Sequence, residues 1–173
     1  MCNAEEVMTL LMATIDGFIK KEEIFFDLNY SNKDGGPIHE LVVELCYNNY
    51  TNWQYENMGR SSDDTIALAG YKGTIVNNAK RNDTLSKLDD IVDKIQDSNE
   101  DGVLMNTFAC VLDMIIIMYI KKHYINVSGD SVKSKIINSQ FNSLTLSFAK
   151  CMEEVFVFKS HKFLSLNKIK IYQ

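Results

Sequence analysis

A single proline is the feature that most constrains how this chain folds. Pro37 is the only proline in 173 residues, and proline is the residue that most strongly interrupts a helix. Long segments therefore contain nothing that prevents helix formation. Within them, apolar residues recur at the three- and four-residue spacing of an amphipathic helix, as in Val7, Leu10, Leu11, Thr14, Ile15 and Phe18.

The periodicity predicts helices over residues 4–20, 37–58, 63–96, 104–124 and 131–156. Turn-forming residues fill the predicted loop 29–37, and Pro37 suits the first turn of the helix that follows. The basic tail, residues 158–173, suits an extended segment or a short helix equally. The length fits one domain. We therefore predict an all-α, single-domain helical bundle of about five helices, mostly up-and-down.

Charge and hydropathy indicate the cellular location of the protein and the classes of partner that it can bind. A net charge of −5 argues against nucleic acid as a partner, because phosphate contacts need a basic surface. Glu5 and Glu6 stand where a secretion signal carries positive charge, so we expect a cytoplasmic protein. The most apolar stretch contains Asp113, and a carboxylate is costly inside a bilayer. A membrane span is therefore not expected.

The sequence predicts no metal site and no cofactor. Its four cysteines are scattered without ligand spacing, which favours buried free thiols over zinc ligands or disulfides. Two pairs of acids at helical i, i+4 spacing, Glu40 with Glu44 and Asp89 with Asp93, are compatible with magnesium binding. Such pairs are also common on solvated helix faces, which is the interpretation we favour.

Polar residues follow one face of each of two predicted helices. On the second helix the face carries His39, Cys46, Asn49, Trp53, Glu56 and Arg60. On the third it carries Asn78, Arg81, Asn82, Leu85 and Asp89. Gly70 and Gly73 in the third helix allow close packing or a bend. Because buried polar groups need partners, these faces indicate either a hydrogen-bond network or a site.

Four short elements also resemble a known family. They are W-Q-Y-E-N-M-G-R at 53–60, N-A-K-R-N-D at 78–83 with Leu88-Asp89, Asn106-Thr107 with Asp113, and K-I-K-I-Y at 168–172. In this order they are similar to the elements of a bacterial domain-of-unknown-function family, the one numbered 4254. The resemblance covers the chain from His39 onwards and implies an all-helical fold without an established activity. The chain departs from the family pattern at Asn57, Ile75, Ala79 and Met114, so polar positions of the family have changed here.

Two functional hypotheses follow. In the first, the polar faces are a structural network in which Arg81 pairs with Glu56 or Asp89, and the protein acts through interaction or scaffolding with a protein partner. In the second, the chain is an enzyme or a small-molecule binder with an anion pocket between helices two and three. Trp53 would form a wall, Arg60 and Arg81 would hold a phosphate or carboxylate, and Glu56 or His39 would be the general base. The sequence leaves open whether the chain is an enzyme. The candidate residues for either role are His39, Asn49, Trp53, Glu56, Arg60, Asn78, Arg81, Asp83 and Asp89.

Overall fold

The structure, a computed structural model, describes residues 4–20, 36–95, 103–104, 107–153 and 162–163. These residues contain five helices: α1 (Ala4–Ile19), α2 (Gly36–Met58), α3 (Asp64–Ile95), α4 (Phe108–Ser128) and α5 (Ser131–Glu153). The all-α fold class is confirmed. None of the described helices combines the length and the apolar character that crossing a membrane requires.

The helix bounds agree with the predicted ones except around α4. Residue 104 was predicted to begin this helix, but Val103–Leu104 (β1) instead pairs in parallel with Lys162–Phe163 (β2). The helix begins later because the Thr107 side chain accepts a hydrogen bond from the Cys110 N–H and caps it. It also runs beyond residue 124, to Ser128, and is capped by Gly129, whose φ of 73° suits glycine.

Capping carboxylates explain where α3 and α5 begin. Asp63 accepts hydrogen bonds from the N–H groups of Thr65 (2.9 Å) and Ile66 (3.1 Å), as an N-cap does. Asp130 accepts one from the Lys133 N–H at 3.0 Å. That hydrogen bond, together with the Lys133 side chain, lowers the pKa of the Asp130 carboxyl.

Two predicted segments lie largely outside the described residues. Of the loop 29–37, only residues 36 and 37 are described, and they form the first turn of α2, as expected for Pro37. Of the basic tail 158–173, only Lys162–Phe163 is described, as an extended strand. The single-domain assignment stays a prediction, since the chain divides into two compact units.

The first unit, Val7–Thr84, contains nearly all of α1, α2 and the first part of α3; we call it the α1–α3 unit. Most of the predicted α1 face is buried in it, including Val7, Leu11 and Ile15. From the same helix, Phe18 stacks on Tyr50 of α2, with ring centroids 5.6 Å apart. Burial of this apolar surface is the main force that holds such a unit together.

The second unit, residues 1–6 and 85–173, contains the end of α3, α4 and α5; we call it the α4–α5 unit. Here α4 and α5 are antiparallel neighbours. Phe108 of α4 packs against Phe148 of α5 with ring centroids 5.7 Å apart, and Tyr119 packs against Phe141 at 5.6 Å. Lys122 places its ammonium 4.6 Å from the Phe141 ring centroid, a cation–π distance.

Candidate functional site

A row of hydrogen bonds joins α2 to α3 within the α1–α3 unit. The Asn77 amide donates to the Asn48 carbonyl at 2.6 Å, and the Asn48 amide donates to the Thr84 hydroxyl at 3.1 Å. Asn48, Asn77 and Thr84 are each at most 4% exposed. Hydrogen bonds between buried groups specify one pairing of the helices, because any slip would leave those groups unsatisfied.

Thr84 is the branch point of this row. Its hydroxyl oxygen lies 3.1 Å from a Glu44 carboxylate oxygen and 3.1 Å from the Lys80 carbonyl oxygen, and it donates its proton to one of them. The same oxygen accepts from Asn48. One side chain therefore satisfies polar groups from both helices.

A second amide pair extends the row. The Asn52 amide donates to the Asn78 side-chain oxygen at 2.6 Å. Asn52 is 8% exposed, and its own Oδ1 is buried and accepts no hydrogen bond from the described part of the chain. An oxygen in this state attracts donors and repels anions.

Two glycines of α3 let the helices approach at one end of this row. A Cβ on Gly70 would lie 2.6 Å from the Tyr55 carbonyl oxygen and 2.8 Å from the Met58 carbonyl carbon. A Cβ on Gly73 would lie 2.7 Å from the Tyr55 Cγ and closer still to two other atoms of that ring. The expectation that these glycines allow close packing is confirmed.

Together these contacts fix the antiparallel register of α2 and α3. Glu44 meets Thr84, Asn48 meets Asn77, Asn52 meets Asn78, Tyr55 meets Gly73, and Gly59 meets Gly70. The α2 face that contacts α3 is thus different from the predicted polar face, which is rotated by roughly a third of a turn at 100° per residue. We name the contacting residues the amide row: Glu44, Asn48, Asn52, Asn77, Asn78 and Thr84.

The predicted α2 candidates differ in burial. Asn49 is buried and donates to the Leu45 carbonyl of its own helix at 3.1 Å, while His39 and Trp53 are half-buried. Glu56 and Arg60 are exposed and face each other at 3.8 Å, with side chains 48% and 72% exposed. A pair this exposed adds little stability.

The α3 candidates are divided between the two units. Asn78 belongs to the amide row, Arg81 is half-buried and Asp83 is exposed. Asp89 lies in the α4–α5 unit, where its carboxylate accepts a hydrogen bond from the Ala109 N–H at 3.1 Å. Asp89 therefore stabilises the N-terminus of α4, where free N–H groups and the helix dipole favour a negative charge.

Asp89 and Thr107, which are far apart in sequence, both act at the first turn of α4. Asp89 accepts from the Ala109 N–H, and Thr107 accepts from the Cys110 N–H. Asp113, one turn further along α4, is 6% exposed. Asn106 lies outside the described residues.

Three of the four cysteines lie in the part of the chain that the structure describes. Cys46, Cys110 and Cys151 are free thiols. Cys46 and Cys151 are buried, as expected, whereas Cys110 is half-buried. Burial raises the pKa of the Cys46 thiol. Among the residues that the structure describes, no group of three His, Cys, Asp or Glu side chains could hold a metal ion.

Sequence reasoning named only Asn78 of the amide row as a candidate, although a signal for the whole row exists. Glu44, Asn48, Asn52, Tyr55 and Gly59 follow one another by four, four, three and four residues, the spacing of one helix face. Gly70, Gly73, Asn77 and Thr84 follow one another by three, four and seven. Small and amide residues that share a face on two successive helices would have indicated the contact.

Comparison with known proteins adds no relative from which a role could be transferred. No protein-family model, curated protein or solved structure matches this chain.

Proposed function

We propose that this chain is a non-catalytic helical-bundle protein that acts in the cytoplasm through protein interaction or scaffolding, as a divergent member of the bacterial family that it resembles. The observation that carries the proposal is the amide row. Its side chains bond to one another and to backbone carbonyls across α2 and α3, so the most distinctive polar residues act in helix packing. Asp89 likewise caps α4.

The anion pocket of the rival hypothesis has less support. Arg60 follows Gly59, whose backbone lies against Gly70, and Arg81 is 11 residues further along α3. At about 1.5 Å per residue, the two arginines start roughly 16 Å apart along the helix. Both side chains would have to extend towards each other to hold one small anion, and the bare oxygen of Asn52, which contacts Asn78, would repel an anion.

A thermal-shift screen tests the proposal. Wild type, Arg81→Ala and the matched control Lys80→Ala are heated with nucleotides, sugar phosphates, carboxylates and divalent cations. We expect no compound to raise the Tm of the wild type. Lys80 is an exposed neighbour, so its variant loses the same charge without touching the predicted pocket.

A compound that stabilises the wild type and Lys80→Ala but leaves Arg81→Ala unchanged would overturn the proposal. Binding to the native state raises the Tm, and this pattern would place Arg81 in a ligand site.

A further inference from the structure

The turn between α4 and α5 is flanked by exposed aliphatic side chains. Val127, in the last turn of α4, is 73% exposed, and Val132, in the first turn of α5, is 68% exposed. Ile136, one turn further along α5, is 53% exposed. At 100° per residue, Val132 and Ile136 lie about 180° and 140° around α5 from Phe141, which packs against α4. Val132 and Ile136 therefore point away from α4.

Lysines accompany these aliphatic side chains. Residues 121–136, which we name the hairpin end, contain four lysines and one carboxylate: Lys121, Lys122, Lys133, Lys135 and Asp130. The formal charge of the hairpin end is therefore +3, in a chain whose net charge is −5. Three of the lysines, Lys121, Lys133 and Lys135, are exposed. A positive end on an acidic chain favours a partner with a negatively charged surface.

Hydrogen bonds hold the hairpin end in one conformation. The Ser134 hydroxyl donates to the Asn126 side-chain oxygen at 2.6 Å, and the Gly129 N–H donates to the Asn126 carbonyl at 3.3 Å. Asp130 caps α5, and its carboxylate lies 3.0 Å from the Lys133 ammonium. A surface that is already ordered loses little conformational entropy when it binds a partner.

Exposed aliphatic side chains among lysines suit two kinds of partner, an acidic protein and a membrane that contains anionic lipids. An acidic protein would need a cavity shaped to both helices, because Val127 and Val132 come from opposite sides of the turn. A bilayer interface admits projecting aliphatic side chains without a preformed cavity, and its anionic headgroups attract lysines. The hairpin end therefore fits the membrane better than it fits a protein.

We propose that the hairpin end docks on membranes whose surface carries anionic lipids, with Val127, Val132 and Ile136 entering the interface and the lysines facing the headgroups. The contact is peripheral, since no helix in the part of the chain that the structure describes could cross a bilayer. Membrane docking goes beyond the proposed protein interaction and does not depend on it. We expect the docking to be weak and reversible, because even one inserted lipid chain gives only marginal membrane binding.

Co-sedimentation of the full chain with lipid vesicles tests the docking. One set of vesicles is phosphatidylcholine alone, and the other contains about 30% phosphatidylserine. We expect binding to the second set only. Raising NaCl from about 0.1 M to about 0.5 M should weaken that binding by about tenfold or more, because salt screens the lysines. No binding to either set, or equal binding to both, would overturn the proposal.

A lysine substitution tests the charge of the hairpin end. Lys135→Gln should lower the partition coefficient by about fivefold, the loss expected for one lysine near an anionic surface. Lys150→Gln is the matched control, since Lys150 is exposed towards the other end of α5, about 22 Å from Lys135 along the helix. Circular dichroism and Tm verify that both variants fold. Equal effects of the two substitutions would show that the hairpin end is not the docking surface.

A second pair of variants tests the aliphatic side chains. The double variant Val127→Ser, Val132→Ser should lower the partition coefficient by about tenfold, because it removes aliphatic groups from the interface. Leu146→Ser is the control, since Leu146 is 74% exposed on α5 and lies outside the hairpin end. A double variant that binds like the wild type would overturn the insertion of these side chains.

Soluble poly-glutamate tests the acidic-protein alternative. We expect it to bind more weakly than the phosphatidylserine vesicles do, because it offers no apolar interface. Binding to poly-glutamate without binding to the vesicles would assign the hairpin end to an acidic protein and overturn membrane docking. None of these results shows a ligand site at Arg81, which only the thermal-shift screen can do, so the two proposals fail separately.

Discussion

At the residue scale, Thr84 shows how one small side chain connects two helices. It is fully buried, and its hydroxyl accepts from Asn48 while lying within hydrogen-bond distance of Glu44 and the Lys80 carbonyl. A buried polar group costs free energy unless it is satisfied. Valine has nearly the same shape as threonine but lacks the hydroxyl. The hydroxyl is therefore the part of Thr84 that specifies its contact with α2.

We therefore expect Thr84→Val to lower the free energy of unfolding by about 1–3 kcal/mol, because it leaves the Asn48 amide without its acceptor. Urea denaturation measures the change. Thr145→Val on α5 is the control, since the Thr145 hydroxyl bonds only the Phe141 carbonyl of its own helix. Equal effects of the two substitutions would show that the interhelical hydrogen bonds add nothing.

Cys46 gives a second prediction at this scale. Its side chain is fully buried, and burial raises the pKa of its thiol, so the reactive thiolate is scarce at neutral pH. We expect native Cys46 to resist alkylation until the α1–α3 unit opens, and urea to expose it. Labelling with iodoacetamide, read by peptide mass spectrometry, checks this. Fast labelling without denaturant would contradict the buried position.

At the element scale, the approach of α3 to α2 depends on the absence of a side chain at Gly70. A methyl group there would collide with the backbone of Tyr55 and Met58, which cannot rotate away as a side-chain tip could. At Gly73 the obstacle is the Tyr55 ring. The two glycines thus differ in how much the neighbouring helix can adjust.

Gly70→Ala should therefore destabilise the protein by about 2 kcal/mol or more, because overpacking outweighs the roughly 1 kcal/mol that alanine adds to a helix. Asn82→Ala, at an exposed position of α3, measures the propensity gain alone. Thermal and urea unfolding of both variants give the comparison. A stabilised Gly70→Ala protein would show that the helices lie further apart than the structure has them.

The first turn of α4 gives another prediction for an element. Asp89→Ala should cost about 2 kcal/mol, because the Ala109 N–H loses its buried acceptor. Asp89→Asn should cost about 1 kcal/mol, since the amide oxygen can still accept from the Ala109 N–H while the interaction of the charge with the helix dipole is lost. Asp90→Ala, at the exposed neighbouring position, is the control. Urea denaturation measures the free energy of unfolding of each variant, and we expect it to fall in the order control, Asp89→Asn, Asp89→Ala. An Asp89→Ala protein as stable as the control would show that Asp89 does not cap α4.

At the scale of the whole molecule, α3 is shared by both compact units and contacts different helices in each, α2 in the first and α4 in the second. Gly70, Asn77 and Thr84 are buried in the α1–α3 unit, whereas Leu85, Leu88 and Val92 are buried in the α4–α5 unit. A single face along all of α3 was the premise of the predicted polar stripe. Asn78 and Asp89 lie in different units, which is why they have unrelated partners, Asn52 of α2 and Ala109 of α4.

Metal independence is the prediction that belongs to this scale. Because the described residues offer no group of metal ligands, we expect magnesium, zinc or a chelator to move the Tm by less than about 1 °C. Differential scanning calorimetry of the full chain measures it. A magnesium-dependent rise that is lost in Glu44→Gln would contradict the assignment of Glu44 to the amide row.

The sequence by itself determined the helices, because their causes are local. One proline at position 37 leaves the rest of the chain free to form helices, apolar periodicity predicts α1, and Asp63, Asp64 and Gly129 lie at helix ends where capping chemistry predicts them. These signals act within a few residues, so a single sequence contains them. Four of the five predicted helices agree with the observed bounds to within a few residues.

Only the tertiary structure decided which polar faces meet. A helix has several overlapping faces of similar polarity, and the packing of the neighbouring helices determines which face is buried. His39, Trp53 and Glu56 formed the more conspicuous stripe, yet Asn48 and Asn52 contact α3. Asp89 meets Ala109 across 20 residues of chain, a contact that local periodicity does not encode. The physical reason is that hydrogen-bond partners far apart in sequence are chosen by the packing of whole helices.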